Sequence, residues 1–584
     1  MTVNIIINGI GIVSSLGIGA EATAEALRKG DTGIHTMRYL QSQHIELPVG
    51  EVPLSNEEMI QMLNATSGRY VSRTALMGAI ALREALHSAG IDADLKGKRV
   101  CLISGTTVGG MDMTERVFAS ADDNDLYYCV KHHDCGSSTE DMARLAGVEA
   151  ECCTVSTACS AALNAIIVGS EMLKNDEADI VIAGGSEALS RFHLNGFNSL
   201  KILDDKPSRP FCATRQGLNL GEGAAYVVMT REEDAKGKGI YLAGYANRCD
   251  AYHQTASSPE GKGASLAMSA ALRMAHLTPQ DIDYVNAHGT GTPDNDRSES
   301  HALQTVFGET LPPVSSTKGA TGHTTSASGA IETVICILAM RNGFIPGNNG
   351  WREKDDECIA PVAAAYAATL HHVMCNSFGF GGNDSSIILS DTTVEQRQDA
   401  APSWQVEEVA DVTVDSMEQL AELAEYVSPR ETRRMGKLLK AATLSSLKAL
   451  RMAGTDNPDA IITATANGML ENSEQLLREI ADNGEQTTSP TLFMQSTHNT
   501  IGSAIAIRLG CHGYNITYTQ GDQSLQCALS DARRLIATGQ AETVLVGCHD
   551  ESAPYLNTLL QRLGEETSRE IYSRSIVLTR KKER

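Results

Sequence analysis

Hydrophobic runs of strand length alternate with helix-length stretches of mixed polarity along most of the chain. Near the start, the apolar run 3–8 is followed by a stretch ending at Gly30 whose apolar residues recur at helical spacing. The same order returns with RVCLISG at 99–105, the helix-patterned SAALNAIIVGSEMLKN at 160–175 and DIVIAGGSEA at 179–188. This alternation predicts an α/β fold with parallel strands and crossover helices.

A second α/β set follows the first, and a third follows after a break. The second set contains DIDYVNAHGTGTP at 281–293, PPVSST at 312–317 and HHVMCNSFG at 371–379. Residues 393–408 are polar and acidic without a clear period, which is typical of a linker. The pattern therefore predicts two halves, about 1–240 and 241–392, a linker at 393–408 and a further segment at 409–584.

The third segment resembles the first half as an internal repeat. TVLVGCHDE at 543–551 corresponds to DIVIAGGSEA, which pairs Gly184 with Gly547 at an offset of 363 residues. The same offset places Asp522 opposite Cys159. We therefore predict that residues 409–584 keep a strand–turn–helix scaffold, lack the cysteine and have no counterpart of the second half.

Composition narrows the function classes without naming one. The 584 residues carry a formal net charge of −24, which disfavours broad nucleic-acid binding because that needs a cationic face. No apolar run reaches the roughly 18 residues of a membrane span, and the uncharged start lacks the basic flank of a signal peptide. We therefore expect a cytoplasmic protein whose 14 cysteines are reduced. The crowded run from Cys129 to Cys135 can be a metal site or a polar loop beside a cleft; we predict no metal.

Four short segments place chemically capable residues where strands end. Cys159 stands in STACSAAL at the start of a helix, where the helix dipole favours a thiolate; a small buried cysteine is the competing interpretation. His288 ends a strand in NAHGTGTP, and Lys318 and His323 lie in SSTKGATGH. A fourth segment, NSFGFGG at 376–382, is a glycine loop with two aromatic residues. A thiol and two imidazoles suit acyl transfer followed by stabilisation of a carbanion and an oxyanion.

These segments give the chain a family resemblance. Residues 1 to about 392 resemble the β-ketoacyl synthases of fatty-acid and polyketide synthesis over their whole length. The opening GIGIVSSLG at 9–17, TACS around Cys159, AGGSEA at 183–188, NAHGTGTP, SSTKGATGH and NSFGFGG all match the family's segments in the family's order. Six matches in order are highly specific, whereas any one alone is modest.

The resemblance implies a thiolase-like five-layer αβαβα sandwich, usually a homodimer, followed here by an additional α/β half-domain. It implies an acyltransferase that needs no cofactor of its own, because acyl carrier protein supplies substrates on phosphopantetheine. Cys159 would accept the acyl group, and His288 and His323 would promote decarboxylation of the malonyl thioester. The resemblance implies further roles for the following residues: Lys318 and Glu332 order the histidines, the backbone N–H groups of Cys159 and Phe380 form an oxyanion hole, Thr290 and Thr292 contact pantetheine, Val108, Phe197 and Phe378 bind substrate, Phe380 gates the pocket, and Arg69, Arg73 and Arg209 dock the carrier.

Two departures from the family and three alternatives remain open. Asn383-Asp384 replaces the usual Thr-Asn after GFGG, and the third segment resembles the inactive chain-length-factor partners of polyketide-type ketosynthases. A thiolase would need a second catalytic cysteine, for which Cys375 is the candidate. A noncatalytic partner subunit would be expected to lack one of the three catalytic residues. For Lys318 and Glu332, a surface salt bridge is the competing interpretation. By analogy, the fused half-domain points to a specialised pathway, such as polyene or polyketide-like pigment lipids, over housekeeping fatty-acid synthesis; the chain length is not predicted.

Overall fold

The computed structural model describes residues 3–65, 70–91, 95–119, 124–235, 239–393, 404–564 and 569–581. The first half forms strands β1 to β6 and helices α1 to α7. In chain order these are β1 Ile5–Ser14, β2 Gly17–Ile18, α1 Ala20–Lys29, α2 Asn56–Leu63, α3 Arg73–Ala89, β3 Val100–Gly105, α4 Met111–Ala119, α5 Cys135–Ala146, β4 Glu151–Val155, α6 Ala161–Lys174, β5 Ile180–Glu187, α7 Arg191–Ser199 and β6 Gly223–Arg231.

The second half is built from strands β7 to β13 and helices α8 to α11. They are β7 Ile240–Cys249, α8 Lys262–Ala275, β8 Tyr284–Asn286, α9 Pro293–Phe307, β9 Val314–Ser315, α10 Lys318–Thr321, α11 Ser328–Asn342, β10 Phe344–Ile345, β11 Tyr366–Ala367, β12 His372–Gly379 and β13 Asn383–Ser390.

The third segment, called the half-domain below, supplies the remaining elements. They are β14 Val406–Val414, α12 Pro429–Thr432, α13 Lys437–Ala453, β15 Ala460–Ala464, α14 Leu470–Asn483, α15 Pro490–Met494, α16 Thr500–Leu509, β16 Tyr514–Tyr518, α17 Ser524–Ala537, β17 Thr543–Glu551, α18 Pro554–Arg562 and β18 Ile571–Arg580. Residues 394–403 of the predicted linker lie outside the described residues. Its last three residues, 406–408, are the start of β14, so the linker prediction runs too far at that end.

Alternating side chains on the strands divide the core into layers. One face of each half packs against α6 and α11, which lie between the two halves and bury residues such as Ala183, Ile331 and Val373. The opposite face of the first half packs on α3, and that of the second half packs on α8 and α9. Helices therefore cover both faces of each strand group, which agrees with the layered sandwich implied by the resemblance.

All three segments contribute to one sheet. In the described part of the chain, sixteen strands join in the order β14-β18-β17-β15-β16-β4-β3-β5-β6-β1-β7-β13-β12-β8-β9, with β2 paired to β1. The half-domain enters through β16, which lies antiparallel to β4. Its own strands alternate in the same way, because Ile461 and Leu545 face α13 while Ile462 and Val546 face α17.

The join between β4 and β16 lies on a local two-fold axis. Val155 pairs with Tyr518, and Tyr518 is also the residue that the offset of 363 residues makes equivalent to Val155. Ser156 N–H donates to Thr517 O and Thr519 N–H donates to Thr154 O, both at 2.9 Å. β4, α6 and the start of β5 map onto β16, α17 and the start of β17 at this offset. The repeat predicted from the sequence, with Asp522 in the place of Cys159, is therefore confirmed in its geometry.

Candidate active site

Cys159 lies in the tight connection between β4 and α6, beside a cavity of about 480 Å³. The preceding residue, Ala158, has a φ of 51°, a left-handed conformation that a non-glycine residue keeps only when the surrounding packing enforces it. The loop after β12 passes close by, since a Cβ on Gly379 would lie 2.7 Å from Thr157 O and 3.2 Å from Cys159 N. Only a glycine allows that approach.

The two histidines reach Cys159 from separate strand ends of the second half. His323 Nε2 lies 3.2 Å from Cys159 Sγ, and His323 Nδ1 lies 3.0 Å from Ser328 Oγ. The rings of His288 and His323 are 5.3 Å apart and nearly perpendicular. The sequence-predicted thiol and both imidazoles thus meet around one cavity.

A buried ion pair lies against the backbone of His288. Lys318 Nζ donates to His288 O at 2.6 Å and lies 2.5 Å from Glu332 Oε1. The Lys318 and Glu332 side chains are only 1% and 2% exposed, so the surface salt-bridge interpretation is wrong. Glu299, which the sequence analysis missed, accepts the N–H groups of His288 and Gly289 at 2.8 and 2.7 Å.

Burial controls the protonation of the site. It lowers the pKa of both His288 and His323 well below the usual histidine value, and the Lys318 charge lowers both pKa values further. Both imidazoles are therefore neutral near pH 7 and can donate a hydrogen bond from one nitrogen. Burial raises the pKa of the Glu332 carboxyl to about 7, against the attraction of Lys318.

The Cys159 thiol differs from the sequence expectation of a thiolate favoured by the helix start. Burial raises the pKa of Cys159, whereas the Lys318 charge and the backbone N–H groups of Phe380 and Cys159 lower it. The effect of burial is larger, and the resulting pKa is about 11. The free thiol is therefore the resting form at neutral pH. The same two N–H groups face the sulfur, where they can stabilise negative charge that develops on a bound carbonyl oxygen.

The predicted substrate-binding residues divide into two groups. Thr290, Thr292, Phe197, Phe378 and Phe380 line the cavity with Cys159. Val108 is buried in a neighbouring apolar cluster that also contains Phe197 and Phe493, a half-domain residue. The Phe197 ring stacks on Phe380 at 5.8 Å and meets Phe493 edge-on at 5.2 Å.

The half-domain also contacts the loop that carries Phe380. Asn499 Nδ2 donates to Phe380 O and to Asn383 Oδ1, both at 2.8 Å. Asn383 Nδ2 in turn donates to Asn515 O at 3.0 Å. The departure at Asn383 therefore serves the contact with the half-domain, and Asn499 had no signal in the linear sequence.

The predicted carrier-docking arginines do not form an exposed patch. Arg73 is buried, and its guanidinium pairs with Glu222 at 2.7 Å. The Arg209 side chain is 14% exposed, pairs with Asp204 at 3.1 Å and donates to Thr214 O. Both side chains are thus committed to internal partners, which corrects that prediction. Arg69 lies outside the described residues.

The structure also bears on two other expectations. Cys375 is fully buried in the middle layer, away from the cavity, so it does not serve as the second cysteine of a thiolase. Within the described ranges, the one group of metal-capable side chains is Cys159 with His288 and His323, whose ligand atoms lie within 4.8 Å of one another. The run from Cys129 to Cys135 does not form such a group there. No helix in the described part of the chain has the length and apolarity to cross a membrane.

Comparison with known sequences agrees with this geometry. Residues 3–235 match the beta-ketoacyl synthase N-terminal domain and residues 240–351 match the beta-ketoacyl synthase C-terminal domain. Residues 399–570 match a second beta-ketoacyl synthase N-terminal domain. A putative polyketide beta-ketoacyl synthase 1 from Streptomyces cyaneus is 30% identical over 416 residues, which cover 67% of this chain and 98% of the relative. The chain belongs to the β-ketoacyl synthase family, a family of acyltransferases.

Two solved structures extend the comparison. The ketosynthase ApeO in complex with its chain length factor ApeC, from Xenorhabdus doucetiae, is 32% identical with a TM-score of 0.60, covering 66% of this chain and 98% of that one. The PfaC keto synthase–chain length factor covers 99% of this chain and 78% of its own, with a TM-score of 0.80 at 16% identity. The latter shows that the fold of nearly the whole chain, half-domain included, has a known counterpart.

Proposed function

We propose that this chain is a cytoplasmic β-ketoacyl synthase that joins an acyl group on Cys159 to malonyl-acyl carrier protein with loss of CO2. The observation that carries the proposal is the meeting of Cys159 Sγ, two neutral imidazoles and two inward N–H groups around one cavity. A thiol with both histidines suits decarboxylating condensation, and all three residues are present, which disfavours a noncatalytic subunit.

The geometry supports two chemical steps. In the first, the Cys159 sulfur attacks the acyl thioester, its proton passes by way of His323 Nε2 to the carrier sulfur, which leaves as a thiol, and the N–H groups of Cys159 and Phe380 stabilise the oxyanion. In the second, the malonyl carboxylate leaves as CO2, and its bonding electrons form an enolate whose oxygen accepts hydrogen bonds from His288 and His323. The enolate carbon then attacks the acyl–Cys159 thioester, and the sulfur leaves as thiolate.

The direct test is an assay of the full chain with acyl- and malonyl-acyl carrier protein. We expect release of CO2 and a 3-oxoacyl product two carbons longer than the acyl substrate, detected by mass spectrometry of the carrier. We also expect an acyl adduct on the peptide that contains Cys159 when malonyl substrate is omitted. Acylation at another residue, or condensation without CO2 release, would contradict the proposal.

We further propose that the half-domain acts as an inactive partner fused to its ketosynthase, and limits product length. Asp522 stands where a thiol would be needed, while Phe493 packs against Phe192 and Phe197 beside the cavity. The predicted homodimer stays a prediction, and it must use a surface other than the β4 edge, which β16 occupies. The contact of Phe493 with a cavity-lining ring makes it the residue to vary.

Shortening Phe493 tests this role. We expect Phe493→Leu to shift the products toward chains about one extension longer, because the smaller side chain leaves space beside Phe197. Product lengths are measured by mass spectrometry after repeated extension. Phe344→Leu is the control, since Phe344 is equally buried but lies in the middle layer. An unchanged product profile in Phe493→Leu, or the same shift in the control, would argue against a length-limiting half-domain.

A further inference from the structure

The half-domain carries a locally basic surface on an otherwise acidic protein. We call residues 428–437 the arginine segment; it contains Arg430, Arg433 and Arg434, all exposed. Its carboxylate, Glu431, already pairs with Arg508 at 3.0 Å. Within the described ranges, the structure gives none of these three guanidinium groups an ion pair. Three uncompensated charges lie close together on a chain whose net charge is −24.

The arginine segment lies next to the mouth of the catalytic cavity. Gln495 Nε2 donates to Arg434 O at 3.2 Å, and the adjacent Met494 Sδ accepts a hydrogen bond from Thr255 Oγ1 at 3.7 Å. Thr255 lines the cavity, as does Lys201, an exposed lysine from the first half. Lys201 therefore lies at the entrance, and the backbone of Arg434 is joined to it through Gln495, Met494 and Thr255.

Acidic groups at the entrance do not cancel this charge. Asp294 also lines the cavity but pairs with Arg297 at 3.0 Å. Asp250 and Asp384 are buried behind the mouth, and burial with the nearby Asp250 raises the pKa of Asp384 well above its usual value. Lys201 and the three arginines have no carboxylate partner in the described ranges, so they add positive charge near the mouth and favour an anionic partner there.

We propose that the arginine segment, together with Lys201, is the docking surface for the acidic carrier protein that delivers the phosphopantetheine thioester. The inference rests on the proposed function, because that chemistry brings a phosphate-bearing arm to this mouth. Guanidinium groups bind phosphate and carboxylate oxygens in paired hydrogen bonds, which suits both the arm and an acidic protein face. Carrier docking is thereby assigned to the half-domain, because Arg73 and Arg209 are both paired with internal carboxylates.

Charge reversal in the full chain tests the docking surface. We expect Arg430→Glu, Arg433→Glu and Arg434→Glu together to raise the KM for malonyl-acyl carrier protein about tenfold or more at low salt, with little change in kcat. The effect should shrink as salt is added. Malonyl-pantetheine and acyl-pantetheine, which lack the carrier, should be condensed as by the unmodified protein.

The matched control changes the net charge by the same amount, but at positions away from the arginine segment. Lys96→Glu, Lys98→Glu and Arg533→Glu reverse three exposed cations, two before β3 and one on α17, which lies on the other face of the half-domain sheet from α13. Equal KM increases in both triple variants, or no increase in the arginine-segment variant, would overturn the proposal. If the unmodified chain condenses no substrate at all, the proposed function fails. Fluorescence anisotropy of labelled malonyl-acyl carrier protein with the same variants then still decides whether this surface binds it.

Discussion

Cys159→Ala should abolish condensation while leaving decarboxylation of malonyl-acyl carrier protein in place. The acyl group has no covalent attachment without the sulfur, so we expect the condensation rate to fall at least about a thousandfold, as for other lost nucleophiles. His288, His323 and Lys318 stay in position, because the alanine removes one atom that packs beside His323 Nε2. CO2 release and 3-oxoacyl product, measured in the same reaction, separate the two steps.

Cys101→Ala is the control for this experiment, because Cys101 is also buried but lies in β3 facing the middle layer. It should condense at nearly the normal rate. Retention of more than about a tenth of the condensation rate in Cys159→Ala would exclude a covalent role. Equal loss of decarboxylation would show that the thiol, and not the histidines alone, is needed for CO2 release.

Lys318→Met should be the most damaging change to stability in the site. It leaves Glu332 buried without its cation, and breaking a buried pair from one side costs about 3–5 kcal/mol. It also removes the donor to His288 O, so condensation should fall as well. The free energy of unfolding is measured by chemical denaturation and the rate by the condensation assay.

The stability loss should depend on pH in a defined direction. Burial already raises the pKa of Glu332 from 4.5 to about 7 with Lys318 present, and without Lys318 it rises further. A carboxyl whose pKa is higher in the folded state destabilises the fold as pH rises above the unfolded value. The loss in the free energy of unfolding caused by Lys318→Met should therefore be small near pH 5 and larger at pH 8.

A double variant separates stability from catalysis. Lys318→Met with Glu332→Leu removes both charges, and we expect it to recover most of the stability, because an apolar pair of similar volume often replaces a buried ion pair. Condensation should stay low, since His288 O has lost its ammonium donor. A double variant as unstable as the single one, or a deficit independent of pH, would show that the uncompensated Glu332 charge is not the cause.

The candidate catalytic residues could be predicted from the sequence because each stands shortly after a strand, where α/β folds place functional side chains. Cys159 follows β4, His288 follows β8, and His323 lies beyond the short helix α10 that follows β9. β8 and β9 are parallel and end at one edge, whereas Cys159 comes from the first half and meets the histidines where the two halves pack together. The repeat could be predicted because its elements keep one spacing over β4, α6 and β5. Glu332 left a signal too, since it is a lone charge in the first three turns of α11, a helix that is buried there on all sides.

Other features depend on contacts that the linear sequence does not encode. Arg73 is the first residue of α3, a position where the sequence alone suggests an exposed cation. In the fold it is buried and its guanidinium donates to Glu222, which lies far along the chain. Asn499 reaches the Phe380 loop across the join between segments. The sequence predicts too low a pKa for Cys159, because the helix start is a local feature, whereas the desolvation that dominates the pKa comes from the whole fold.

The join between Val155 and Tyr518 bears on how the protein behaves on dilution. A ketosynthase and a separate partner dissociate when their concentration falls below the dissociation constant, whereas covalently linked partners meet at an effective concentration of about millimolar. Here the linked partner supplies the pairing for β4 within one polypeptide. Every polypeptide therefore carries one half-domain for each scaffold that bears Cys159, and this one-to-one ratio does not change with protein concentration.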